Sequence, residues 1–221
     1  DYTKETSGKS KIYGYKNLRG FFRQIKKAVN SGSKRKYIYA YWQDFDVNCH
    51  EFGVASKKTA RHFDEIAKGF EKILKELKNT GTTIIVTADH GLIDSSREKI
   101  ILIDNYPEIK ECLTLPLCGD TRTAYCYVHP SKAKQFEHLV KTKLSKYCEL
   151  KKSEDLIKEG YFGMFKPAKQ LYDRIGDYTL LAKENYVIKD AILGRKKDFY
   201  VGNHGGLSSK ELFVPLIVIN L

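Results

Sequence analysis

The sequence lacks any apolar run long enough to cross a bilayer, which takes about 20 residues. Its longest apolar stretch, residues 212–221, is short and is interrupted by Pro215. No internal repeat, low-complexity segment or signal peptide is recognisable in it either. These absences exclude a transmembrane helix and a repeat architecture, and no membrane partner is expected.

Paired cysteine motifs are also missing. The chain has 5 cysteines, an odd number, and none of them forms a CxxC pair. A disulfide framework or a CxxC-type metal site would need such pairs or an even count. Reduced thiols in a cytoplasmic protein are therefore expected.

Acidic residues are outnumbered by basic ones. The chain has 39 lysines and arginines and 27 aspartates and glutamates, which gives a formal net charge of +12. Basic charge attracts polyanions, so a basic nucleic-acid-binding module is one alternative. However, the lysines are scattered and no known nucleic-acid-binding motif is present, so nucleic acid is not the expected partner. A basic surface also suits a small phosphate-bearing substrate.

The pattern of apolar residues predicts an α/β protein. Apolar residues spaced by three and four follow Ser56, and "TTIIVT" at residues 82–87 is typical of a buried strand. With "YIYAYW" at residues 37–42 as an earlier strand, this forms a βαβ unit with parallel strands. We predict a three-layer sandwich with a mostly parallel central sheet and a small cap-like insertion at about residues 105–200. The other predicted segments are helices at 15–29 and 131–147 and strands at 99–103, 123–128, 178–182, 186–188 and 213–220.

Carboxylates and imidazoles follow two of the predicted strands, at 37–42 and 82–87, and an imidazole precedes the last one. Ligands in open parallel sheets bind outside the carboxyl ends of the strands, and a borderline metal such as Zn²⁺ prefers these side chains. Each of these segments, taken singly, is explained as an ordinary turn or loop. Taken together, the segments predict a metal site formed by Asp46, His50, Asp89, His90 and His204. Asp44 and Cys49 are weaker candidates, and the other histidines, His62, His129 and His138, are assigned to surface or packing roles.

Three motifs carry a resemblance to a known family. "YWQDFDVNCHEFG", "TADHG" and "GNHGGLSSKELFVPLIVI" occur in this order and span residues 41–219. The segments resemble the metal-binding motifs of the type I phosphodiesterase/nucleotide pyrophosphatase family of the alkaline phosphatase superfamily. Phe45 and Cys49 stand where proline and glycine are usual in that family, which alters the lining of the loop more than its ligands.

The resemblance implies hydrolysis of phosphodiester or pyrophosphate bonds in nucleotide-like substrates at a two-metal site. Asp46, His50 and His204 would hold one divalent ion, and Asp89 and His90 would help to hold the other. Zinc is the expected metal, with manganese as the alternative. Monoesterases and mutases of the superfamily share these ligands, so the type of ester stays open.

The family's first strand, its aspartate and its nucleophilic threonine or serine have no counterpart before Tyr37. Residues 1–221 are therefore expected to be the C-terminal part of a single alkaline-phosphatase-like α/β domain, with the N-terminal part of the fold and the nucleophile outside this chain. On that expectation these residues alone are inactive. A non-catalytic relative that keeps its metal remains the other alternative.

Overall fold

A computed structural model describes residue 5 and residues 7–32, 35–190 and 199–221, which form helices and short strands. The helices are α1 (Leu18–Val29), α2 (Asp44–Phe52), α3 (Lys57–Glu76), α4 (Pro107–Lys110), α5 (Ala133–Lys143), α6 (Ser153–Lys158), α7 (Lys169–Arg174) and α8 (Ser209–Leu212). The strands are β1 (Thr83–Thr87), β2 (Ile93–Asp94), β3 (Ile100–Leu102), β4 (Cys118–Asp120), β5 (Thr123–Cys126), β6 (Cys148–Lys152), β7 (Tyr178–Ala182), β8 (Val187–Lys189), β9 (Gly202–Asn203) and β10 (Leu216–Asn220). No helix among these residues is long and apolar enough to span a membrane.

Helix α3 shows how local sequence sets an element. The Ser56 hydroxyl caps its start by accepting a hydrogen bond from the Thr59 amide at 3.1 Å. Past its end, Asn79 and Gly81 adopt positive φ angles of 63° and 67°, which stop the helix. The predicted helix after Ser56 is confirmed.

The chain divides into two compact units. The first takes in residues 1–48, 55–87 and 215–221 and contains α1, α3, β1 and β10. Strand β1 pairs antiparallel with β10, from Thr83 opposite Asn220 to Thr87 opposite Leu216. Phe22 of α1 packs so closely over Gly69 of α3 that a Cβ at Gly69 would lie 2.2 Å from the ring.

The second unit takes in residues 49–54 and 88–214. Its main sheet is antiparallel, in the order β4-β5-β7-β6, and the fully buried side chains of Phe136, Leu144 and Leu180 lie in its core. Smaller pairs join β2 to β9 antiparallel and β3 to β8 in parallel. The strands predicted at 99–103, 123–128, 178–182 and 186–188 are found within a residue or two. The insertion at about 105–200 stays a prediction, and its residues 191–198 lie outside the described part of the chain.

The strand predicted at residues 37–42 is wrong. This segment contains no strand, and within the described residues β1 has β10 as its partner rather than a parallel neighbour. Tyr37 and Tyr39 are 92% and 76% exposed. Aromatic content favours a strand only where a hydrogen-bonded neighbour and a packing surface are present. Among the described residues, parallel pairing occurs between β3 and β8 alone.

Candidate metal centre

Asp46 and His50 lie on one continuous helix, α2. Their spacing of four residues places the carboxylate and the imidazole on the same side of that helix, as the sequence predicts. The helix ends before Gly53, which has a φ of 89°, and the next amide, that of Val54, donates to Asp94 Oδ1 at 2.7 Å. The end of α2 is thereby attached to the strand that follows the Asp-His-Gly motif.

A backbone carbonyl orients His50. Its Nδ1 lies 2.7 Å from the Gly202 carbonyl oxygen, which can only accept a hydrogen bond. Nδ1 therefore carries the proton, and the Nε2 lone pair is the one that a metal can take. The approach requires glycine, because a Cβ at position 202 would lie 2.4 Å from the Cys49 carbonyl oxygen. The first glycine of the last motif, Gly202, is thus explained by close backbone packing.

His204 completes a cluster with the two ligands on α2. Its ring centroid lies 5.1 Å from that of His50. Ligand atoms of Asp46, His50 and His204 all lie within 4.8 Å of one another. Two ligands bound to one tetrahedral zinc ion lie about 3.4 Å apart, so side-chain movements on the order of 1 Å would bring these atoms into coordination. Two imidazole nitrogens and one carboxylate oxygen suit a divalent metal of the zinc type.

Asp89 and His90 lie beside this cluster and are not members of it. The His90 ring stacks on the His204 ring with centroids 3.9 Å apart and planes 21° apart. His90 Nε2 lies 3.8 Å from Asp89 Oδ1. The loop is held in place because the Gly91 amide donates to the Glu211 carbonyl at 2.8 Å. The five predicted residues therefore divide into a group of three and an adjacent pair.

The remaining histidines and the weaker candidates are not part of the cluster. His62 Nε2 accepts a hydrogen bond from the Trp42 indole at 3.0 Å, which is a packing role as predicted. His129 and His138 are exposed. Asp44 and Cys49 fall outside the three-residue group. All the cysteines are free thiols, as expected, and the structure buries Cys49, Cys112, Cys126 and Cys148.

A buried ion pair supports the loop that carries His204, and the sequence did not predict it. Arg122 Nε and Nη2 donate to the two Glu211 carboxylate oxygens at 3.0 and 2.8 Å, and both side chains are 1% exposed. Glu211 also accepts from the Gly206 amide at 2.8 Å and from the Ser208 hydroxyl at 2.6 Å. Burial alone would raise the pKa of the Glu211 carboxyl, but the hydrogen bonds from Arg122 and Ser208 outweigh it and lower that pKa. The carboxylate is therefore ionised and fixes residues 206–208.

Comparison with known proteins identifies the fold and the family of this chain. The chain has an α/β fold that resembles solved structures of an ectonucleotide pyrophosphatase/phosphodiesterase and a phosphonoacetate hydrolase. The model of the type I phosphodiesterase/nucleotide pyrophosphatase family matches residues 2–207, and the chain belongs to that family.

Three solved structures show the extent of the likeness. Murine ectonucleotide pyrophosphatase/phosphodiesterase 5, an inactive form in complex with AMP, is 20% identical, with a TM-score of 0.70 over 90% of this chain and 51% of its own. The human form is 22% identical and has a TM-score of 0.70. The match covers 90% of this chain and 51% of the human one. Phosphonoacetate hydrolase from Sinorhizobium meliloti, in complex with phosphonoformate, is 20% identical and has a TM-score of 0.64. The match covers 95% of this chain and 51% of the hydrolase. The chain thus spans about half the length of the structures it matches.

Proposed function

We propose that this chain supplies the metal-binding part of a phosphodiesterase or nucleotide pyrophosphatase that uses two divalent ions. The observation that carries the proposal is the cluster of Asp46, His50 and His204, whose ligand atoms lie within 4.8 Å of one another. Family membership supports the reaction class. A small phosphate-bearing substrate, nucleotide-like, is proposed because two of the solved neighbours hold AMP and phosphonoformate.

In this proposal Asp46, His50 and His204 hold the first ion, which is zinc or alternatively manganese. Asp89 and His90 contribute to the second ion, with further ligands and a threonine or serine nucleophile supplied by polypeptide outside these residues. When bound, two such ions stabilise the attacking and leaving oxygens of an in-line displacement at phosphorus. The chain's own part is to orient the ligands. The Gly202 carbonyl fixes the His50 tautomer, and the Arg122–Glu211 pair fixes the loop of His204.

A cytoplasmic location is also proposed, and its support is the free state of the thiols. The basic surface, with its formal charge of +12, favours approach of an anionic substrate. Neither feature separates a diester substrate from a monoester substrate, so the two kinds of ester have to be compared by kinetic assay.

Removal of metal is expected to abolish hydrolysis by the full-length protein. We expect chelator treatment to lower kcat/KM for bis(p-nitrophenyl) phosphate by at least about 100-fold, because two-metal sites stabilise both reacting oxygens. Adding back Zn²⁺ or Mn²⁺ is expected to restore the rate. The monoester p-nitrophenyl phosphate, assayed in parallel, is expected to react with the lower kcat/KM.

Two outcomes would contradict this proposal. Hydrolysis that persists undiminished in the chelated protein would exclude a metal-dependent reaction. A protein that binds metal stoichiometrically and hydrolyses neither ester would be the non-catalytic relative. Binding to polynucleotide that survives about 0.5 M salt would instead favour the nucleic-acid-binding alternative, since purely electrostatic affinity is lost well below that concentration.

A further inference from the structure

The loop that carries His204 is contacted by the turn between β4 and β5. Asp120 Oδ2 lies 3.6 Å from His204 Nδ1. Thr123, on the other side of the same turn, donates its hydroxyl hydrogen to the Gly205 carbonyl at 2.5 Å. Gly205 has a φ of 91°, and a Cβ there would lie 2.5 Å from Asp120 Cγ. The turn and the histidine loop therefore fit together closely at these positions.

The Asp120 carboxylate is itself held in one orientation. Its Oδ1 accepts from the Arg122 amide at 3.2 Å and from the Thr121 hydroxyl at 3.4 Å. The other oxygen, Oδ2, is the one directed at His204. Arg122 also anchors the turn through its buried pair with Glu211. One carboxylate oxygen thus binds the turn and the other faces the imidazole.

This geometry has a chemical consequence for His204. At 3.6 Å the contact is longer than a hydrogen bond, but a carboxylate oxygen can only accept, so its negative charge favours the tautomer with the proton on the nearer nitrogen, Nδ1, and the lone pair on Nε2. His50 is held in the same tautomer by the Gly202 carbonyl. Both imidazoles then offer the same nitrogen, Nε2, to a shared ion.

We propose that Asp120 is a positioning residue that fixes the tautomer and the ring orientation of His204 for metal binding. The inference rests on the proposed function in one respect, namely that His204 is a metal ligand. It adds a residue from the β4–β5 turn, far from the metal motifs in sequence, to the machinery of the site.

The decisive variant is Asp120→Asn. Asparagine keeps the size of the side chain, and its carbonyl oxygen can keep the Oδ1 contacts with the turn. Its amide nitrogen then replaces Oδ2 and presents hydrogens to His204 Nδ1, which favours the opposite tautomer. Asp120→Ala is the second variant and removes the partner altogether. The control is Asp155→Asn, because Asp155 is a half-exposed carboxylate on α6 that pairs with Lys158.

Two measurements on the full-length protein test the role of Asp120. The first is the Zn²⁺ dissociation constant by competition with a chromophoric chelator. The second is the pair of ¹⁵N chemical shifts of the His204 ring in the metal-free protein, which report its tautomer. We expect Asp120→Asn and Asp120→Ala to weaken Zn²⁺ binding by at least about 10-fold, the range for partners of metal-bound histidines. In Asp120→Asn the Nε2-protonated tautomer should predominate, whereas Asp155→Asn should match the wild type in both measurements.

Wild-type tautomer and wild-type affinity, within twofold, in both Asp120 variants would overturn the proposal. Melting temperatures of all variants separate this result from loss of the fold. A wild-type protein that binds no Zn²⁺ would instead overturn the proposed function. The tautomer measurement still decides the role of Asp120 in that event, because it needs no metal.

Discussion

Replacing His204 with alanine in the full-length protein is expected to lower kcat/KM for a phosphodiester by at least about 1000-fold, or about 4 kcal/mol in barrier height. The reason is that His204 supplies one of the three clustered ligands, together with Asp46 and His50. Its loss leaves two ligands, too few to hold an ion in a defined geometry. Metal content, measured by elemental analysis, should fall in parallel, and Asp46→Ala should behave in the same way.

The matched control for this prediction is His138→Ala, which removes an exposed imidazole from α5. It should leave both metal content and kcat/KM within about twofold of the wild type, as is usual for a surface substitution. Equal metal content in the His204, Asp46 and His138 variants would contradict the ligand assignment. Lost activity with full metal content in His204→Ala would point to a role in contacting substrate instead.

Breaking the buried Arg122–Glu211 pair is expected to have the largest effect on stability. Arg122→Met leaves the Glu211 carboxylate buried without its guanidinium partner, which we expect to lower the free energy of unfolding by about 3–5 kcal/mol. The double variant Arg122→Met with Glu211→Leu removes both charges and should recover most of that loss. Urea denaturation at neutral pH, monitored by far-ultraviolet circular dichroism, measures the difference.

An exposed pair provides the comparison. Lys158 and Glu154 on α6 are 63% and 65% exposed, so Lys158→Met should leave the denaturation midpoint essentially unchanged. If Arg122→Met were equally harmless, the pair would not stabilise the fold. If instead the double variant were as unstable as the single one, the loss would come from side-chain packing and not from an uncompensated charge.

Local patterns predicted about half of the described helices and strands. Helix α3 follows from its capping serine and its apolar spacing, and β7 matches its predicted bounds because residues 178–182 are buried almost throughout. Residues 37–42 have an equally strong strand pattern but belong to no sheet within the described residues. Strand formation depends on a partner, and the partner is not encoded in the segment itself.

The residues of the candidate site that could be predicted are those marked by a short-range sequence pattern. Asp46 and His50 are spaced by one helical turn, and His204 lies in a glycine-rich motif. The sequence alone therefore predicts these three residues as candidate ligands. Asp120 and Arg122 were missed because they lie about 80 to 90 residues before the loop that they contact. No short-range pattern marks a residue whose partner is brought near only by tertiary folding. The acidic residue of the last motif, Glu211, was visible in the sequence, but its partner was not.

The most direct test of the account is the position of the ion itself. Crystals of the full-length protein grown with Zn²⁺, and measured on both sides of the zinc absorption edge, would show where the anomalous scatterer binds. We expect a peak about 2.0–2.2 Å from one carboxylate oxygen of Asp46 and from one imidazole nitrogen each of His50 and His204. Full zinc occupancy elsewhere, with no peak bound by these three residues, would contradict the central claim that they form a metal site.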